Sequence, residues 1–290
     1  MKKLIFALPG NEMLTEKLVA LTGAENGNLR VHKFPDGESL VQVNSEVTGN
    51  EIILVCTLHQ PDEKILRLYF LAKELRKLQA AKITLVASYL AYMRQDKVFH
   101  AGEIVTSKYF AELLSCLVDE LITVDPHLHR WKTMNDIYTI PCQVLHASAC
   151  LSAYIQKHIT NPLLIGPDIE SKQWVSDVAN QAGAPFLVLE KVRYSDTQVN
   201  VSVPQLKEFE ACTPVLIDDI ISTAHTMIEA VNHLKKAGAR LVTCLGVHAV
   251  FADRAYEELL QTGAEIITCN TIAHKTNKID LSALLASALN

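Results

Sequence analysis

Two adjacent carboxylates, Asp218 and Asp219, close an apolar run, Val215-Leu216-Ile217, and are followed by Ile220-Ile221 and then by Ser222-Thr223-Ala224-His225-Thr226. Carboxylates accept hydrogen bonds from vicinal hydroxyls or hold a divalent cation through water, but they repel an anion. The hydroxyl-rich segment has the opposite preference. It runs into an apolar-periodic stretch from Met227, so it aims backbone N–H groups and a helix dipole at one point, which suits a phosphate dianion. Ser222, Thr223 and Thr226 add hydroxyl donors. A ligand with hydroxyls at one end and phosphate at the other satisfies both halves. Taken alone, the same residues also fit a solvated turn followed by an ordinary helix cap. A triphosphatase aspartate is another reading, but the chain has no G-x-x-x-x-G-K-[ST] segment to partner it.

Three further segments carry groups of matching chemistry. Phe34-Pro35-Asp36-Gly37-Glu38 sets an aromatic face and two acceptors beside a turn-making glycine, a combination that grips a purine or makes a plain turn. In Tyr92-Met93-Arg94-Gln95-Asp96-Lys97, Arg94 and Lys97 offer cations to a polyphosphate and Gln95 can bond a base or ribose. Lys191-Val192-Arg193 places two cations on an extended segment, where they could neutralise charge on a transferring group or form an exposed basic pair. His127-x-His129 has the spacing of a zinc pair but no further ligands cluster nearby in sequence.

The elements that position these groups follow from patterning. Short β-rich runs at Ile52–Thr57, Ile83–Ser88, Glu120–Val124, Leu163–Gly166, Phe186–Leu189, Val215–Ile220, Leu241–Val247 and Glu265–Thr268 alternate with helix-length stretches. Apolar residues at spacings of three and four mark helices over Glu63–Gln79 and Ser107–Leu117, and from Met227 to a stop near Gly238. Near-continuous apolar strands separated by helices imply parallel sheets covered on both faces. The pattern predicts an α/β chain of two doubly wound domains, 1–146 and 147–290, with ligands at the carboxyl ends of the strands.

Composition narrows the classes. With 290 residues, 49% of them hydrophobic, the chain can bury large cores. A net charge of −5 without a dense Lys/Arg run argues against nucleic acid and anionic membrane as partners. The first residues read as a strand and turn rather than a signal peptide, and no apolar stretch is long enough to span a bilayer. Seven scattered cysteines without a C-x-x-C pair suit reduced, core-filling thiols in a cytoplasmic protein.

In order and over about residues 4 to 288, these segments resemble the ribose-phosphate pyrophosphokinases, especially the shorter form common in archaea. The acidic loop looks like the phosphoribosyl-diphosphate loop that this family shares with type I phosphoribosyltransferases. The segments Phe34–Glu38, Arg94-Gln95-Asp96-Lys97, Val124-Asp125-Pro126-His127, Ile165-Gly166-Pro167-Asp168 and Lys191-Val192-Arg193 match its motifs, as do the late pieces Gly246–Phe251 and Thr271-Ile272.

The resemblance implies two mostly parallel domains of type I phosphoribosyltransferase-like fold. It implies Mg²⁺-dependent transfer of diphosphate from ATP to ribose 5-phosphate, giving 5-phosphoribosyl 1-diphosphate and AMP. By the same resemblance Phe34, Asp36, Glu38, Arg94, Gln95, Lys97 and His127 hold ATP, with adenine against Phe34 of a neighbouring subunit, so at least a homodimer is implied. Asp168, Asp218, Asp219, Ser222, Thr223, Ala224, His225 and Thr226 hold ribose 5-phosphate. His127 and Asp168 face the metal, and Lys191 and Arg193 stabilise the transition state.

The chain also departs from the pattern. His225 stands at a loop position that is normally Gly, Glu170-Ser171 replaces a pair of glycines, and the 194–203 loop is short. These departures keep open a non-catalytic regulatory homologue, beside a type I phosphoribosyltransferase, which has no use for Arg94–Lys97.

Overall fold

The computed structural model describes residues 1–98, 100–195, 198–202 and 212–290. The chain divides into two compact units. One comprises Met1–Leu145, Thr271–Ala273 and Ser282–Asn290, and the other His146–Asn270 and His274–Leu281. Among the described residues no helix is long and apolar enough to cross a membrane.

In the first unit the chain runs β1 (Lys3–Ala7), α1 (Glu12–Thr22), β2 (Glu25–Asn26), β3 (Leu29–Lys33), β4 (Ser39–Val43), β5 (Glu51–Val55), α2 (Asp62–Lys77), β6 (Lys82–Ala87), α3 (Thr106–Ser115), β7 (Glu120–Val124) and β8 (Cys142–Leu145). The six-stranded parallel sheet has the order β2-β1-β5-β6-β7-β8. Its central strands are almost wholly buried because helices cover both faces, which is why they read as unbroken apolar runs. α2 shows why these helices form where they do. It buries Leu68, Leu71, Ala72 and Leu75, spaced as one helical face, with acids Asp62 and Glu63 in its first turn and Arg76 and Lys77 in its last. Both ends thus complement the helix dipole. β3 and β4 stand apart from the sheet as an antiparallel hairpin whose residues alternate in exposure.

The second unit runs α4 (Ser148–His158), β9 (Pro162–Gly166), α5 (Lys172–Ala182), β10 (Phe186–Val188), β11 (Glu190–Ser195), β12 (Gln198–Ser202), β13 (Thr213–Ile221), α6 (His225–Lys236), β14 (Thr243–Ala249), α7 (Ala255–Gln261), β15 (Glu265–Cys269) and β16 (Asn277–Ile279). The last helix, α8 (Ser282–Ser287), packs against α1 in the first unit. The parallel sheet has the order β10-β9-β13-β14-β15-β16. β11 and β12 form a separate antiparallel ribbon.

The α/β class and the parallel sheets match the expectation. Some boundaries moved. β14 starts at Thr243, since Leu241 is exposed. Gly238, with φ 100°, follows the end of α6 as expected of a helix stop. The cysteines are all free, with Cys56, Cys244 and Cys269 in cores, but Cys116 lies exposed at the end of α3 and fills no core.

Candidate functional site

β13 lies in register between β9 and β14, with Asp218 opposite Gly246, Ile220 opposite His248 and Ile221 opposite Ala249. The ladder therefore continues past the apolar run, and Asp218 and Asp219 belong to the strand, within the expected run Val215–Ile220. Gly246 makes room for the Ile221 side chain: a Cβ there would lie 2.7 Å from Ile221 Cγ1 and 2.8 Å from its Cδ1. Gly246→Ala is accordingly expected to push on Ile221 and cost about 1–3 kcal/mol, an overpacking effect measurable by urea unfolding. An unchanged denaturation midpoint would show that Ile221 moves freely.

The two carboxylates crowd one another. The Asp219 amide donates to Asp218 Oδ1 at 3.0 Å. Asp218 keeps part of its surface open, yet its surroundings are mostly protein. Burial first, then the charge of Asp219, a hydrogen bond with its carboxyl and the charge of Asp168, hold Asp218 well above the usual carboxylate range. With Asp219 and Asp168 beside it, Asp218 is suited to hydroxyl donors or a cation.

Beyond β13 the loop is tied down from the side: the Phe251 amide donates to Ile221 O at 2.8 Å and the Ala252 amide to Ser222 O at 3.1 Å. α6 begins at His225, two residues before the point the periodicity indicates. The Ile228 amide makes a bond to Ala224 O at 2.8 Å, so the amides of His225, Thr226 and Met227 precede it in the first turn. Ala224 has φ 57° and ψ 4°, a left-handed residue followed directly by right-handed helix. That alternation turns successive N–H groups toward one side, as an anion-binding nest requires. No acidic residue stands in the first turn of α6 to compete for it.

Two departures from the family pattern thereby acquire a physical account. His225 is the first helical residue, exposed and right-handed, so the backbone does not demand glycine there. The unusual conformation falls one residue earlier, on Ala224. Ser171 has φ −75° and ψ −11°, ordinary right-handed backbone that needs no glycine. Its hydroxyl donates to Asp168 O at 2.6 Å and its amide to Asp168 Oδ1 at 3.2 Å, so this serine fixes the orientation of Asp168. The side chain of Glu170 lies outside the described residues.

The expected nucleotide-side residues group in the first unit. Phe34–Glu38 forms the tip of the β3–β4 hairpin: the Phe34 amide donates to Glu38 O at 2.8 Å, the Gly37 amide to Phe34 O at 2.9 Å and the Glu38 amide to Asp36 Oδ1 at 3.1 Å. Gly37, with φ 96°, is needed for that turn. Phe34 is 39% exposed, and its ring meets His32 edge-on, with centroids 4.9 Å apart. Glu38 also lines a cleft of about 550 Å³ with Lys33, Arg67 and Phe70. After β6, Arg94 and Lys97 are exposed and Gln95 is half-buried, its amide donating to Lys97 O at 3.3 Å.

His127 follows β7, half-buried, with its ring nearly parallel to that of His129 at 6.4 Å. Asp96, to which no role could be given from sequence, is buried and binds Arg130 of this second loop. The only sequence signal for it is an acid placed among cations. Lys191 and Arg193 lie on β11, opposite Val201 and Val199 of β12; their side chains lie outside the described residues.

A parallel sheet whose strand carries paired carboxylates and leads into a left-handed residue at a helix N-terminus has the arrangement of a phosphoribosyltransferase-type domain. Residues 134–283 match the phosphoribosyl transferase domain, and residues 3–117 match the N-terminal domain of ribose phosphate pyrophosphokinase. The chain is 32% identical over 264 residues to the ribose-phosphate pyrophosphokinase of Sulfurisphaera tokodaii, covering 88% of this chain and 89% of that one. It is 30% identical over 263 residues to that of Methanothermobacter thermautotrophicus, covering 90% of each. The fold is similar to a phosphoribosylpyrophosphate synthetase from Mycobacterium smegmatis, with a TM-score of 0.85 over 100% of this chain and 98% of that one, at 23% identity. The chain belongs to the ribose-phosphate pyrophosphokinase family.

Proposed function

We propose that this chain is a ribose-phosphate pyrophosphokinase, transferring diphosphate from ATP to the C1 hydroxyl of ribose 5-phosphate and releasing AMP. The observation that carries this reading is that one chain combines the carboxylate-and-nest loop at β13–α6 with a cationic loop after β6 and the His127 loop after β7. The first suits a sugar phosphate and the others a nucleoside polyphosphate. The C1 oxygen bonds to the β-phosphorus of ATP, the bond to the α-phosphate oxygen breaks, and the hydroxyl proton is released.

The first-turn amides of α6, with Ser222, Thr223 and Thr226, hold the 5-phosphate, and Asp218 and Asp219 accept from the ribose hydroxyls. Arg94, Gln95, Lys97 and His127 orient the polyphosphate. Phe34 offers its face to adenine, with Asp36 and Glu38 as acceptors, and the pairing of that hairpin with a neighbouring copy makes the enzyme at least a dimer. Lys191 and Arg193 neutralise charge as the diphosphate passes; such a mechanism rests on positioning and electrostatics. Burial and the charges of Asp219 and Asp168, which raise the Asp218 carboxyl, fit a divalent cation there, so Asp168 and Asp218 would hold Mg²⁺, which when bound neutralises the polyphosphate, and His127 would face a metal on the nucleotide side. The reading places the protein in the cytoplasm.

Incubation with ATP, Mg²⁺ and ribose 5-phosphate, inorganic phosphate present, should yield AMP and a diphosphorylated sugar detectable by mass spectrometry. If nucleotide and sugar phosphate bind but neither product forms, the chain is a regulatory homologue. Arg94→Ala is expected to raise the KM for ATP roughly 10- to 100-fold, as loss of a charged hydrogen bond does, with the KM for ribose 5-phosphate little changed. Steady-state kinetics with each substrate varied checks this, and an unaltered ATP KM would remove Arg94 from the site.

A further inference from the structure

We propose that Asp96 is a positioning residue for the nucleotide: through Arg130 and His129 it locks the loop after β7, which carries His127, onto the loop after β6, which carries Arg94, Gln95 and Lys97. The inference rests on the reaction proposed above and adds to it a residue that touches no substrate.

The geometry is specific. The Asp96 side chain is 2% exposed, although it sits between the exposed residues Arg94 and Lys97. Both of its oxygens are committed to the other loop. Oδ1 accepts from the Arg130 guanidinium at 2.8 Å, and Oδ2 accepts from the Arg130 amide at 3.1 Å, with His129 Nδ1 3.5 Å away. Burial works against the charge on Asp96, but the side-chain and amide hydrogen bonds of Arg130, with the charges of Arg130 and His129, hold its carboxyl below the usual range. One carboxylate thus reads backbone and side chain of the same residue, which fixes a loop in both place and rotation.

The second loop is also fastened from beyond. Trp131 Nε1 donates to Ser107 Oγ at 3.2 Å, and the Lys108 ammonium lies 5.5 Å from the Trp131 ring centroid. Asp125, at the loop entrance, has φ 34°, a strained value that persists only where the surroundings impose it. An ion pair with one buried and one part-exposed partner contributes little net stability compared with apolar packing. What it supplies here is a defined distance between two substrate-facing loops, and reacting groups held on such loops lose rate steeply when displaced.

The test compares Asp96→Asn, Arg130→Ala and the double variant with the unaltered protein by steady-state kinetics, each substrate varied in turn, with thermal unfolding alongside. Each single variant is expected to raise the KM for ATP by roughly 10-fold or more and to lower kcat, and the KM for ribose 5-phosphate should stay within about twofold. The double variant should be no worse than Asp96→Asn, because both changes cut one link. An unchanged ATP KM in either single variant overturns the proposal, and so does a parallel rise of both KM values, which a general loss of structure would produce. Should Asp96→Asn fail to fold, Arg130→Ala alone decides the matter, since the Arg130 side chain is 38% exposed. Failure of the reaction reading would be visible in the unaltered protein itself, as absence of product. In that event the same comparison is made by equilibrium binding of ATP.

Discussion

Replacing Asp218 by Asn is expected to cut kcat/KM by two to three orders of magnitude, roughly the effect of losing one preorganised electrostatic group, and at the same time to make the ligand-free protein more stable at neutral pH. The two effects have one cause. Burial, Asp219 and Asp168 raise the Asp218 carboxyl well above the usual range, so the folded state holds that proton more tightly than the unfolded chain does. Between the unfolded value, about 3.9, and the raised folded value, stability therefore falls as pH rises. Above the folded value the whole penalty is present, about 1.4 kcal/mol for each pH unit of elevation. Asparagine keeps the shape and removes the charge. The gain in Tm should thus be clear at pH 7–8 and vanish near pH 3, where aspartate is protonated in both states. Thermal scans at several pH values, paired with the AMP-release assay, read both effects. A variant less stable than the parent at pH 8 would show that Asp218 is not under electrostatic stress.

Ala224→Val should be nearly as damaging, through the backbone. Ala224 is buried and left-handed, and a left-handed residue with a side chain costs roughly 1–2 kcal/mol even for ordinary residues, more for a β-branched one. Valine is expected to relax toward right-handed or extended backbone and so turn the 224–227 amides away from their common focus. The KM for ribose 5-phosphate should rise by up to roughly 100-fold while that for ATP holds. Ala224→Gly, which adopts φ near 57° without strain, should keep both within a few-fold. If valine leaves sugar-phosphate binding intact, the left-handed turn is not what forms the cradle.

The parallel strands were legible because burial on both faces leaves an uninterrupted apolar signature, as at Ile52–Val55 and Leu121–Val124. The acidic pair was legible as chemistry inside the run Val215–Ile220, but nothing in that run reports that the Ile221 side chain packs over Gly246 of the neighbouring strand. The β3–β4 hairpin carried a period-two signal in Leu29, Val31, Val41 and Val43, but its strands are short and peripheral. Left-handed backbone at Ala224 could not be read, since an alanine gives no hint of positive φ where a glycine would. Asp96 was hidden for a related reason: among Arg94, Gln95 and Lys97 it reads as one more solvated charge, and only the fold brings Arg130 to it.

The two sheets repeat one strand order, so α2 after β5 occupies the same place in its unit that α6 after β13 occupies in the other. The two helix beginnings answer the same electrostatic need in opposite ways. α2 carries its counter-charge covalently, Asp62 and Glu63, while Lys64 folds back to donate to Thr57 O at 2.8 Å and to meet His59 Nδ1 at 2.9 Å. α6 opens with His225 and Thr226 and brings no acid of its own. One helix beginning carries its own acids, and the other carries none in its first turn. What distinguishes the two helix beginnings within this chain is thus the identity of a few first-turn residues, with the topology held constant.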